Sequence, residues 1–160
     1  MKGKKSPPEI ALLLRLLDDA YDRTAWHGPN LRGSLRGVGA KAAAWRPAPR
    51  RHNIWELAVH AAYWKYAVAR RLTGEKRGSF PLKGSNWFRR PETSGDEKAW
   101  REDLALLDRQ HRRLRETIAA LPSRRLPANL RMIYGVASHD LYHTGQIRLL
   151  KVLQRNRRGR

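Results

Sequence analysis

Hydrophobic positions gather into four long runs at helical spacing, separated by breaks rich in glycine and proline. In the first run Ile10, Leu13, Leu14, Leu17 and Tyr21 recur every three or four residues and form one apolar face. The preceding Ser6-Pro7-Pro8-Glu9 has the form of a capping box, with prolines in the first turn, where a missing N–H costs nothing. Gly28-Pro29 ends the pattern, and NLRGSLRGVGAKAAAW then supports short helical turns at 31–38 and 40–45 before the turn RPAPRR at 46–51. A second long helix is predicted at about 53–72, with Ile54, Leu57, Ala61, Trp64, Val68 and Leu72 as its buried stripe and Gly74 as a left-handed cap.

Residues 75–93 hold two glycines and two prolines without periodicity and read as a long loop. Ser94-Gly95-Asp96-Glu97 is a second capping box, and the helix it opens carries Trp100, Leu104, Leu107, His111, Leu114, Ile118 and Leu121 in the alternating spacing of a bundle seam. After the break LPSRRLP, a last helix at about 129–153 completes the set. Four long helices, no strand pattern and no repeat predict a single all-α domain over 1–160: an antiparallel four-helix bundle with a short helical insertion between its first two long helices.

Composition narrows the class of function. Lys and Arg number 34 against 14 Asp and Glu, a net charge of +20, which raises nucleic acid as a partner. The basic residues are nevertheless spread along the chain, with runs only in the tails at about 1–5 and 155–160, so solvated helix faces are the preferred reading and attraction of small anionic substrates an intermediate one. No run approaches the roughly 18 apolar residues of a membrane span, and MKGKKSPPEI lacks the apolar centre of a signal peptide, so a cytoplasmic protein without membrane contact is expected. With no cysteine, any thiol chemistry must use an external thiol. The aromatic content leaves apolar surface for a homodimer.

His139 and His143, four apart in the last helix, project from one face and are spaced to chelate one ion; Gln146 shares that face, whereas Asp140 points about 100° away. The same spacing also suits two solvated or hydrogen-bonded histidines. A third imidazole would have to come from a neighbouring helix. His60, at the border of the second helix's stripe, is the first candidate, and His111, on the seam of the third, is read as a packing residue or as the alternative ligand. His27 closes the first helix and is placed to line a pocket; His27, Trp64 and His111 are the candidate substrate-binding residues, and His52 reads as a helix-start residue. Three imidazoles would leave a coordination position open and suit zinc, nickel or copper, an ion able to generate hydroxide or thiolate near neutral pH. Glu56, one turn before His60, and Gln146, one turn after His143, are the catalytic candidates, placed to orient a ligand ring or a metal-bound water; for Glu56 a general-base role also arises, with a solvated helix-face role preferred over it. Lys83, Arg89 and Arg90 near Trp87 are placed to attract an anionic thiol or acid.

The strings WHGP (26–29), HNIWELAVHAAYWKYAVARRL (52–72), the spaced W…L…H..L…I..LP of the third helix and MIYGVASHDLYHTGQI (132–147) together resemble the DinB-like superfamily of bacterial damage-inducible-type proteins and YfiT-like metal-dependent hydrolases. The resemblance implies an up-up-down-down four-helix bundle and a divalent metal ion, usually nickel or zinc, held by His60, His139 and His143. It further implies a small-molecule substrate and S-transferase or hydrolase chemistry on a low-molecular-weight thiol such as bacillithiol. Mycothiol-dependent maleylpyruvate isomerase belongs to the same superfamily. The arginine excess departs from the typical member.

Overall fold

Asn53 and Gly74 bracket the central helix as their chemistry dictates. The Asn53 side chain accepts from the Glu56 amide at 2.8 Å, and Gly74 takes the left-handed conformation at φ 79° that a side chain would resist. A computed structural model describes residues 7–90 and 95–158; Ser6, Ser94, and most of the basic tails at 1–5 and 159–160 lie outside the described residues. Among the described residues, six α-helices and one 3₁₀ turn run in the order α1 (Pro8–Tyr21), α2 (Leu31–Ser34), α3 (Ala40–Ala44), α4 (Ile54–Thr73), α5 (Glu97–Ala119), the turn Ser123–Arg125, and α6 (Leu126–Arg158). The described residues contain no strand, and none of their helices is long and apolar enough to cross a membrane.

Two boundaries differ from expectation. The last helix starts at Leu126 and runs unbroken for 33 residues, because Pro127 sits in its first turn, where no N–H is required. Asp96 caps α5 by accepting from the Ala99 amide at 2.8 Å, while Glu97 reaches across to accept from the Ala40 amide at 2.7 Å and so caps α3.

α4 packs against both α5 and α6, and α1 packs against the same two helices. The expected stripe on α4 proves too narrow. Ile54 to Ala62 are all buried, because α3 and the loop after α4 cover what would otherwise be its outer face. That loop is anchored by Phe80 and Phe88, which are buried against Tyr63 at ring separations of 5.4 Å. Two polar clusters interrupt the apolar interior. Asp103 accepts from Trp55 Nε1 and from Arg90, both at 2.6 Å. Lys65 and Asp140 form a fully buried ion pair between α4 and α6. Burial pushes the Asp140 carboxyl up, against the pull of the Lys65 ammonium.

Candidate metal centre

His60 lies in the first half of α4, and His139 and His143 lie one turn apart in α6. Because α4 and α6 pack together, the three rings meet. His139 Nε2 is 3.0 Å from the Nε2 atoms of both His60 and His143, and one ring nitrogen from each residue lies within 4.8 Å of the other two. Nitrogen ligands roughly 2.0–2.1 Å from one ion and about 90–110° apart would be about 2.9–3.4 Å from each other, a range that both separations from His139 Nε2 meet.

Second contacts on the rings set which nitrogen faces inward. His60 Nδ1 is 2.8 Å from the Asn86 carbonyl oxygen; a carbonyl can only accept, so Nδ1 carries the proton and Nε2 presents its lone pair. His143 Nδ1 is 2.7 Å from Gln146 Oε1, while the Gln146 amide nitrogen donates to the Tyr142 hydroxyl at 3.2 Å. His139 Nδ1 is buried and has no hydrogen-bond partner among the described residues. Burial depresses the basicity of all three rings. His60 is brought to about 4 and His139 to about 3, the latter with help from His143, His60 and Lys65, and His143 is also lowered. Neutral imidazole is the form that binds metal, so the site is ready to accept an ion at neutral pH.

The loop between α4 and α5 supplies a part of the site that the sequence did not signal. Asn86 has φ 65°, a left-handed conformation that asparagine tolerates better than most residues. In that pose its carbonyl oxygen reaches His60 and its side-chain oxygen accepts from Trp64 Nε1 at 3.0 Å. Next to it, Trp87 lies flat against His60 at 3.8 Å and against His52 at 3.6 Å. His52 Nδ1 is in turn 3.0 Å from Glu56 Oε2.

Glu56 is therefore buried rather than solvated. Burial raises its carboxyl, but hydrogen bonds from Arg46, at 2.9 and 2.5 Å, and from His52 outweigh this and hold it below the usual range. It reaches the histidines only through His52 and Trp87. His111 is not brought to the cluster: it stacks on Tyr21 at 3.7 Å, and burial, aided by Lys65, lowers it to about 3. His27 is exposed in the turn after α1. Arg90 is engaged by Asp103, Arg89 lines a cavity with His52 and Glu56, and Lys83 lines one beside Tyr63.

A cavity of about 400 Å³ opens directly on His60 and His139, with Trp64, Val68, Met132 and Val136 in its walls. No curated protein and no solved structure matches the chain. A family model described as the DinB superfamily matches residues 23–147, a span that holds all three clustered histidines, the Asn86–Trp87 loop and most of α6. The chain belongs to the DinB superfamily.

Proposed function

We propose that the protein is a metal-dependent enzyme in which His60, His139 and His143 hold one divalent ion, nickel or zinc, and that it acts as an S-transferase or hydrolase on a small molecule. The observation that carries this reading is the convergence of three imidazoles on the wall of a cavity, with His139 Nε2 3.0 Å from the Nε2 atoms of both His60 and His143. An ion there supplies Lewis acidity, which lowers the pKa of a water or of a low-molecular-weight thiol. Three protein ligands leave a position open for that molecule. The chain contributes no sulfur of its own to compete for the ion.

The remaining residues act by orientation. Asn86 and Gln146 fix the tautomers of His60 and His143. Glu56, tied to Arg46 and His52, steadies the Trp87 ring against His60 instead of exchanging protons with substrate. Trp64 forms an apolar wall that keeps water from the reacting group. The four long helices, in this reading, are wound up-up-down-down, as the family resemblance implies.

Elemental analysis of protein purified without an affinity tag tests the proposal. About one divalent ion per chain is expected in the native protein, and His143→Ala should weaken zinc affinity more than about a hundredfold, beyond what loss of an orienting residue costs. A protein with no stoichiometric ion, or one unaffected by that substitution, would remove the basis for an enzymatic role.

A further inference from the structure

One face of α4 carries His60, Trp64, Val68 and Arg71 at successive turns, and the opposed face of α6 carries Met132, Gly135, Val136 and His139. The cavity between them is consequently asymmetric. Imidazole nitrogens stand at one end, apolar side chains form the walls, and a single guanidinium marks the other end. Helical side chains lean towards the helix N-terminus, which brings the Arg71 head back over Trp64, 6.0 Å from its ring. The same indole lies 6.4 Å from the His60 ring and 6.1 Å from that of His139. One indole width thus separates the cationic head from the imidazole cluster. Arg71 has no ion-pair partner among the described residues, and the charge of arginine persists at any pH the protein meets.

Gly135 adds an independent indication. Glycine inside a helix is destabilising by roughly 0.5–1 kcal/mol relative to alanine, yet here a Cβ would meet no atom within 4 Å. Nothing in the protein's own packing requires the missing side chain. What its absence does is widen the cavity one turn before His139.

We propose that this cavity binds a small organic anion, with a flat apolar body lying along Trp64, Val68 and Val136, its anionic group on Arg71 and its opposite end towards the three histidines. The assignment deepens the metal-enzyme reading and rests on it for the chemistry that follows binding, but binding itself requires only the cavity and Arg71. A carboxylate suits the guanidinium because the two planar groups can form paired charge-assisted hydrogen bonds.

Calorimetric titration of untagged protein with 2-naphthoate and with its neutral analogue 2-naphthamide tests this, in chelator-treated and zinc-loaded forms. The carboxylate should bind both forms about tenfold more tightly than the amide, the worth of one charge-assisted contact. Arg71→Gln should erase that preference while leaving amide binding unchanged, and Arg71→Lys should restore part of it. Gly135→Leu should exclude both probes while its circular dichroism and melting curve remain those of a folded protein. A preference that persists in Arg71→Gln and vanishes on zinc removal would place the carboxylate on the ion and overturn the proposal, as would absence of naphthoate binding in both forms. An Arg71-dependent preference in a protein that binds no zinc would leave the anion site standing and sink the metal reading alone. Zinc binding without that preference would do the reverse.

Discussion

His139 and Asp140 are neighbours in α6, yet they belong to opposite kinds of polar interior. Asp140 is turned into the core, where its charge is balanced by that of the equally buried Lys65. His139 is turned towards His60 and His143, where three like donors face one another beside an open cavity. The first arrangement is self-sufficient, since both charges find their partner inside the chain. The second brings three ring nitrogens to one place, which is a poor way to satisfy imidazoles and a good way to hold a cation. The difference separates a contact that fixes how α4 sits on α6 from one that uses the resulting alignment.

The largest test of this contrast is Lys65→Ala, which strands the Asp140 carboxylate. It should destabilise the protein by about 3–5 kcal/mol in urea unfolding, whereas the double replacement Lys65→Met with Asp140→Leu should be neutral or stabilising by about 1–4 kcal/mol and still bind zinc. Loss of zinc binding in a well-folded double variant would show that the pair does more than align the helices.

Acid should act on the histidine cluster and on the separately buried His111. The folded-state values of His60, near 4, and His139 and His111, near 3, lie below the unfolded value near 6.5. Between those limits the unfolded chain holds more protons, so the metal-free protein gains stability as pH rises through the window and loses it as pH falls. Urea titrations at stepwise pH should record a loss of at least about 2 kcal/mol between pH 6.5 and 4.5. A flat profile would mean that the rings titrate in the folded protein as they do in the unfolded chain.

The smallest effect concerns orientation. Asn86→Ala removes the Trp64 hydrogen bond and places a less tolerant residue at φ 65°, loosening the carbonyl that holds His60. Zinc affinity, measured by competition with a chromophoric chelator, should fall about tenfold with little change in melting temperature.

Much of this was open to reading in the residues. Regular apolar spacing located α1, α4 and α5, and Asn53 and Gly74 marked the ends of α4, because short-range chemistry decides those features. The histidines of α6 were legible as a pair for the same reason. His60 is the first candidate for the third member and His111 the alternative; helix packing sends the one to the cluster and the other to Tyr21. The buried ion pair left a fainter trace. Lys65 has Ala61, Ala62, Val68 and Ala69 at helical-neighbour positions, all buried, so a charge there had to find a partner indoors. No spacing rule leads from Asn86 or Trp87 to His60, because a loop residue's reach depends on a backbone path without a period.

Since residues 139 and 140 share a peptide bond within one uninterrupted helix, neither can be re-aimed alone. Any insertion, deletion or kink upstream in α6 would rotate the ligand and the anchoring carboxylate together by the same angle. Variation in this chain is thus expected to spare the helix's phase and to fall instead on the cavity walls, where side chains can change without moving either residue.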